Sequence, residues 1–114
     1  MDRKDGFTPV PTRLKAEWER TKISQNETEN VMFFKYLSSQ MQHSQKLQML
    51  KLMGIKMNRQ SYRFLRDGIK KSNTLKTVAV NNCNVAKSDY LHILTNGMME
   101  SKSLETIDLQ CNDL

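Results

Sequence analysis

The chain has 114 residues and a mass of 13.3 kDa, which corresponds to one domain or part of one, so several independent domains are excluded. Hydrophobic residues make up 38% and charged residues 26%, with two prolines and four glycines, a composition that excludes wholesale disorder. The formal net charge of +6 originates in residues 31 to 75, which carry nine basic side chains against Asp67 alone. Such a basic patch favours acidic partners through its long-range field.

The sequence contains neither a secretion signal nor a stretch that approaches the ~18 apolar residues of a membrane span. It therefore predicts an intracellular, cytoplasmic protein without a membrane partner. Disulfides persist mainly in oxidising compartments, so Cys83 and Cys111 are expected to be reduced thiols.

Residues 1 to 25 are predicted to be an amino-terminal extension with a short helix. Thr12 is of a residue type that caps the start of helices, and Leu14 and Trp18 are four residues apart. A short helix is therefore expected from about Arg13 to Arg20. Trp18 is the only tryptophan and is a candidate anchor into another surface. The alternative is that Trp18 covers the core of the region that follows.

The next helix is predicted within residues 26 to 46. Asn26 and Glu29 form a capping signal at its start. Spacings of three and four then place apolar residues on one side of the helix. We expect this segment to be the outer element of an incomplete unit that acts as an amino-terminal cap.

A pattern of the form L-x-x-L-x-L-x-x-N/C-x-L ends the chain and has two earlier copies at offsets of 29 and 28 residues. The copies consist of Leu47, Leu50, Leu52, Ile55 and Met57; Leu75, Val78, Val80, Cys83 and Val85; and Leu104, Ile107, Leu109, Asn112 and Leu114. Alternation within each copy predicts a strand whose leucine-type positions face a core. Cys83 and Asn112 are polar at the ninth position, where the chain leaves the strand and its backbone groups need partners. Ile55 is apolar at the same position. This predicts either that the first copy lies at the edge of the structure or that its turn is built differently.

The segments between the copies also repeat. Their apolar triplets are Phe34, Leu37 and Met41; Tyr62, Leu65 and Ile69; and Leu91, Leu94 and Met98. The spacings place each triplet on one helical face. A serine, Ser44, Ser72 or Ser101, stands three residues before each leading leucine in a short polar link. Each unit is therefore predicted to consist of strand, loop, helix and turn.

The eight aligned positions of these units resemble the leucine-rich repeat family, in its ribonuclease-inhibitor-like class, over about residues 30 to 114. The resemblance implies an α/β solenoid of about three repeats, with a parallel sheet on the concave face and helices on the convex face. Its units are residues 26 to 46 as the incomplete cap, 47 to 74, 75 to 103, and 104 to 114 as a truncated copy. Because solenoids need capped ends, we expect a fragment of a longer chain, the alternative being an end that another subunit covers.

One candidate binding site is a stripe of four cations on the helix after the first strand copy: Arg59, Arg63, Arg66 and Lys70. Only Asp67 is close in sequence, which indicates a site for an acidic partner. The alternative interpretation is an ordinary solvated helix face.

The second candidate surface comprises the strand residues between the inward positions. They are Met49, Lys51 and Met53; Thr77, Ala79 and Asn81; and Thr106, Asp108 and Gln110. Methionine is adaptable and enriched at binding surfaces, so the first row is the candidate contact. The family resemblance implies partner binding on this face, and the alternative is coverage by the amino-terminal tail.

No phosphate loop, C-x-x-C or H-E-x-x-H motif is present, so the sequence predicts a non-enzymatic protein without cofactor or metal. The resemblance implies a protein–protein interaction scaffold in a larger intracellular assembly, with the cytoskeleton or cilium as the expected setting and tubulin as an acidic partner. Alternatives are a regulatory segment of the GTPase-activator or enzyme-inhibitor type and a basic subunit of a ribonucleoprotein. Nucleic acid is less favoured because Phe64 is the only aromatic interleaved in the stripe.

Overall fold

The computed structural model describes residues 12–17 and 30–112, which form a four-stranded parallel sheet and three helices. The elements are β1 (Arg13–Glu17), α1 (Val31–His43), β2 (Met49–Met53), α2 (Arg59–Lys71), β3 (Thr77–Asn81), α3 (Tyr90–Glu100) and β4 (Thr106–Asp108). The strands lie side by side in chain order, and every pairing is parallel. The predicted α/β class with a parallel sheet is confirmed for these residues.

The first strand corrects the prediction for the amino-terminal extension. The expected helix from Arg13 to Arg20 is wrong where the structure describes it, because Arg13–Glu17 form β1 and pair with β2. Leu14 packs against the core and Ala16 is buried in it, so the segment alternates with a period of two. Hydrogen bonds to β2 pair backbone N–H and C=O groups of β1 that would have no partner in a single helical turn. The sheet therefore begins inside the segment that was expected to lie outside the repeated units.

A recurring pair of hydrogen bonds holds the strands in register. Just before each of the first three strands, one carbonyl oxygen accepts two consecutive N–H groups from the chain that enters the next strand. These bonds run from Gln48 and Met49 to Thr12 O (2.8 and 3.1 Å), from Lys76 and Thr77 to Gln48 O (2.8 and 3.0 Å), and from Glu105 and Thr106 to Lys76 O (2.8 and 3.0 Å). The same acceptor position therefore recurs in each pairing.

The core lies between one face of the sheet and the three helices. Its fully buried strand residues include Leu50, Leu52, Val78 and Val80. The helical triplets contribute buried Phe34, Leu37, Met41, Tyr62, Leu65, Ile69, Leu94 and Met98, while Leu91 is half-buried. The predicted inward faces of strands and helices are confirmed at these positions.

The polar links from helix to strand are built alike. Each helix ends at one of the three predicted serines, and its hydroxyl accepts hydrogen bonds from the backbone two and three residues later. The acceptors are Ser44 for Lys46 and Leu47 (3.0 and 2.9 Å), Ser72 for Thr74 and Leu75 (3.3 and 3.1 Å), and Ser101 for Ser103 and Leu104 (3.3 and 3.1 Å). These bonds fix the direction in which each strand starts.

The turns that leave the strands also share one backbone geometry. Gly54, Asn82 and Cys111 occupy the eighth position of the three copies, and all have positive φ (69°, 52° and 66°). This left-handed conformation reverses the chain direction away from the sheet. The position after it differs in chemistry, because Ile55 is buried where the other copies have a polar side chain.

The ninth position bonds to backbone groups in both polar copies, and the Cys83 sulfur donates to Asn81 O and Leu52 O at 3.4 and 3.8 Å. Asn112 accepts from Cys83 N at 2.8 Å, and its amide donates to the carbonyl oxygens of Val80, Leu109 and Gln110. Ile55 does not mark an edge, because β1 pairs with β2 on its far side. Its turn has the same backbone geometry as the others but differs in chemistry, because the Ile55 side chain can neither donate nor accept a hydrogen bond.

Candidate binding surface

The strand residues that point away from the helices form a surface that we call the outer sheet face. It consists of Arg13, Lys15, Met49, Lys51, Met53, Thr77, Ala79, Asn81, Thr106 and Asp108. Strand register aligns Lys15, Lys51, Ala79 and Asp108 in one row across the sheet. Charge along this row changes from positive on β1 and β2 to negative on β4.

The predicted contact row, Met49, Lys51 and Met53, lies on β2 beside the cations of β1. All three side chains are half-buried, whereas the β2 residues between them are fully buried in the core. Lys15 pairs in register with Lys51. The structure therefore gives this half of the outer sheet face a basic character with methionine contact area on either side of Lys51.

Sequence reasoning missed the contribution of β1 to this surface. The three predicted rows contain Lys51 as their only cation, but Arg13 and Lys15 also lie on this surface, and both are exposed. The signal was present in the sequence as Leu14-Lys15-Ala16, which has the same alternation as Leu50-Lys51-Leu52. The spacing of Leu14 and Trp18 favoured a helix instead.

The β3 part of the outer sheet face differs from the prediction that these positions are exposed. Ala79 is only 3% exposed and Asn81 only 7%, although Ala79 lies outside the core cluster. Ala79 is short, and its register partners Lys51 and Asp108 on either side have longer side chains. The Asn81 amide is engaged, because it donates to Asp108 Oδ1 at 3.2 Å and to Gln110 O at 3.3 Å.

Asp108 is held in place at the acidic side of this face. Besides the bond from Asn81, its Oδ1 accepts from Gln110 N at 3.0 Å. The outer sheet face therefore presents opposite charges on its two sides, with small side chains between them.

The helical stripe has more acidic neighbours than the sequence indicated. Arg59 contacts both carboxylate oxygens of Asp89 (2.9 and 3.1 Å) and also donates to Ser88 Oγ at 2.9 Å. Lys70 pairs with Glu100 Oε1 at 3.1 Å. The expectation that Asp67 is the only carboxylate near the four cations is wrong. The neighbouring α3 segment places Asp89 and Glu100 within ion-pair distance of them.

The remaining two cations of the stripe differ from each other. Arg66 donates to Asp67 Oδ1 at 3.0 Å, and its backbone packs against Gly97 of α3. Arg63 is exposed and has no ion pair among the described residues. The four predicted residues lie on one helix as expected, but three of them have carboxylate partners, and two of these join α2 to α3.

The thiol of Cys83 is the titratable group with a clear perturbation in the described residues. Desolvation by burial raises its pKa from 9.0 to about 11, against the opposing effect of the backbone N–H groups of Ile55 and Gly54. The sulfur donates to Asn81 O at 3.4 Å. Thiolate chemistry at Cys83 is therefore disfavoured at neutral pH.

Trp18, the other predicted contact, and residues 26 to 29 with the predicted capping signal lie outside the described residues. Within residues 12–17 and 30–112, no group of three or more His, Cys, Asp or Glu side chains is placed to hold a metal ion. None of the helices in this part of the chain is long and apolar enough to cross a membrane. No protein-family model matches the sequence, and no curated protein matches it either.

Proposed function

We propose that this chain is a leucine-rich-repeat module that acts as a non-enzymatic protein interaction scaffold, with the outer sheet face as its contact surface. The sequence pattern supports the repeat class, and among residues 12–17 and 30–112 the three helices lie on one side of the sheet only. The observation that carries the proposal is the half-buried row Met49, Lys51 and Met53, next to the exposed cations of β1.

The chemistry of that row favours an acidic protein surface as the partner. Lys51 and the neighbouring β1 cations attract carboxylates, and the methionines on either side provide adaptable apolar contact area. Desolvation of the methionines on binding adds affinity that depends little on salt. Such a partner is expected in a larger intracellular assembly, and by analogy with the repeat family the cytoskeleton or cilium is the proposed setting.

Binding to purified tubulin at low and high salt tests this proposal. We expect binding to weaken as salt is raised, because ions screen the attraction between the two charged surfaces. Polyglutamate should inhibit binding, because it competes with the acidic partner surface for the same cations. Lys51→Glu should weaken binding by about tenfold. Lys102→Glu is the matched control, because it makes the same charge change at an exposed position beyond the end of α3.

The outcomes separate the proposal from its alternatives. Equal binding by Lys51→Glu and Lys102→Glu would contradict the role of the outer sheet face. Competition by RNA but not by polyglutamate would favour the ribonucleoprotein alternative. Charge reversal of Arg63 tests the helical stripe separately, since this cation has no ion pair among the described residues.

One observation favours the regulatory alternative as a second candidate. An activator of GTP hydrolysis acts through an arginine presented on an accessible surface, and Arg13 is exposed on the outer sheet face. If the module has this role, Arg13→Lys should abolish stimulation of a partner GTPase, because lysine lacks the planar fork of the guanidinium. The scaffold proposal predicts that the same substitution has little effect on binding.

A further inference from the structure

One row of the outer sheet face holds two opposite charges that have no charged partner among the described residues. Strand register aligns Lys51 on β2, Ala79 on β3 and Asp108 on β4. Lys51 and Asp108 are both half-buried, and no ion pair joins either of them to another described residue. Since half-buried charges lose part of their hydration, each of them favours a counter-charge from a bound partner.

The Asp108 carboxylate is oriented before a partner binds. Its Oδ1 accepts hydrogen bonds from the Asn81 amide at 3.2 Å and from Gln110 N at 3.0 Å. Both donors are uncharged groups, so they orient the carboxylate without neutralising it. A side chain that is already ordered loses less conformational entropy on binding, which makes Asp108 well suited to select a cation of the partner.

The spacing of the two charges favours a helix as the partner segment. Neighbouring strands lie about 4.8 Å apart, so the backbones of β2 and β4 are separated by about 10 Å. In an α-helix, residues i and i+7 are about 10.5 Å apart along the axis and lie on the same face. In an extended segment, about 10 Å corresponds to residues i and i+3, whose side chains point to opposite faces. A helix that crosses the strands therefore directs both charges at the sheet, whereas an extended segment of this spacing turns one of them away.

The residues around this row suit the apolar side of such a helix. Ala79 has the shortest side chain of the row and is only 3% exposed, so it does not hold a helix away from the sheet. Met49 and Met53 lie on either side of Lys51 along β2 and are half-buried. Helix positions i+3 and i+4 lie between the two charges on the same face, so apolar residues there contact Ala79 and the adaptable methionines.

We propose that the outer sheet face binds an amphipathic helix that carries a carboxylate and, seven residues away, a lysine or arginine, with apolar residues between them. The carboxylate pairs with Lys51 and the cation pairs with Asp108, while the helix axis crosses the strands. This inference rests on the proposed function, because it uses the same surface, and it specifies the partner segment. It makes Asp108 a specificity-determining residue that distinguishes such a helix from a uniformly acidic segment.

Two fluorescent, alanine-based helical peptides of identical composition test the spacing. One has Glu at i, Leu at i+3 and i+4, and Lys at i+7; in the other, the Lys is moved to i+5, nearly on the opposite side of the helix. In anisotropy titrations with the whole chain, we expect the i+7 peptide to bind about threefold to fivefold more tightly than the i+5 peptide. Equal affinities, or no binding of either peptide at millimolar protein, would overturn the proposal.

Asp108→Asn tests the cation contact, because it removes the charge and keeps an oxygen that can accept from Asn81 and Gln110. The variant should lose the preference for the i+7 peptide. Replacing the peptide Lys by Gln should weaken binding to the wild type but not to Asp108→Asn, since the variant lacks the group with which the Lys pairs. Asp67→Asn is the matched control, because it makes the same change on α2, behind the sheet, and should keep the preference.

The outcomes also distinguish this inference from the proposed function on which it rests. If Lys51→Glu weakens tubulin binding but Asp108→Asn keeps the preference for the i+7 peptide, the inference is wrong and the proposed function stands. If Lys51→Glu weakens the binding of neither tubulin nor the i+7 peptide, both are wrong.

Discussion

The middle of the sheet and its β4 side follow the same sequence pattern but have different environments. Within the described residues, Leu50 and Val78 have a paired strand on each side and are fully buried, whereas Ile107 has one on a single side and is 44% exposed. The residue type is similar, so the difference comes from the number of neighbouring strands. In a stacked structure, the burial of a side chain therefore depends on the strands on either side of it. The same substitution should change the unfolding free energy by different amounts at equivalent positions.

The largest difference is expected for truncation of the aligned core residues. Leu50→Ala should lower the free energy of unfolding by about 2–5 kcal/mol, because it removes a buried side chain and leaves a cavity. Ile107→Ala should cost less than about 1 kcal/mol because much of its surface is already in water. Urea unfolding followed by circular dichroism measures both. Equal losses of unfolding free energy would contradict the inference that neighbouring strands determine how much each side chain stabilises the fold.

The two cysteines should differ strongly in reactivity with iodoacetamide. The thiolate is the reactive form, and the raised pKa of Cys83, about 11, lowers its thiolate fraction near pH 8 by about a hundredfold relative to an ordinary thiol. Cys111 is exposed and should be modified first. Mass spectrometry of tryptic peptides locates the label. Rapid modification of Cys83 in the Cys111→Ser variant would contradict the buried position of the Cys83 thiol.

The same pKa makes a prediction about stability at high pH. Because the folded-state pKa is raised, the contribution of the Cys83 thiol is fully present below about pH 9 and is lost as the pH rises towards 11. The unfolding free energy of the wild type should therefore fall relative to Cys83→Ala over this range. A constant difference between the two proteins from pH 8 to 11 would rule out this linkage.

Two glycines at equivalent helix positions test how rigid the packing is between neighbouring units. A Cβ at Gly97 would lie 2.6 Å from the backbone oxygen of Arg66, which moves only with α2. At Gly68 it would lie 2.7 Å from the sulfur of Met41, a flexible side chain. Gly97→Ala should therefore destabilise by about 1–3 kcal/mol. Gly68→Ala should cost less, and the reverse order in thermal unfolding would contradict this packing.

The smallest effects are expected for the ion pairs between α2 and α3. Arg59 and Asp89 are each nearly half exposed, so solvent screens their interaction. Arg59→Gln should destabilise by less than about 1 kcal/mol, and the loss should shrink at high salt. Arg63→Gln provides the matched control, because Arg63 has no ion pair among the described residues. If the two variants have indistinguishable unfolding free energies at low salt, the ion pair between Arg59 and Asp89 does not stabilise the fold.

Much of the architecture was predictable because its signals are local. The spacing of Tyr62, Leu65 and Ile69 gives a helical face, and the alternation around Leu50 gives a half-buried strand. The serine at the end of each helix was also visible in the sequence, although its hydrogen bonds to the following backbone were not. The first strand was not predicted, because Leu14 and Trp18 have helical spacing and the partner that makes residues 13 to 17 a strand lies far along the chain.

The sequence by itself determined the class of fold, the inward faces of its elements and the location of the basic residues, because periodicity and composition are properties of short segments. Only the tertiary structure decided which charges meet. Arg59 and Lys70 are paired with Asp89 and Glu100 because parallel stacking brings residues about 30 positions apart into contact. It likewise decided that Lys15 joins Lys51 on one surface, since sheet register depends on which strands become neighbours and not on either strand alone.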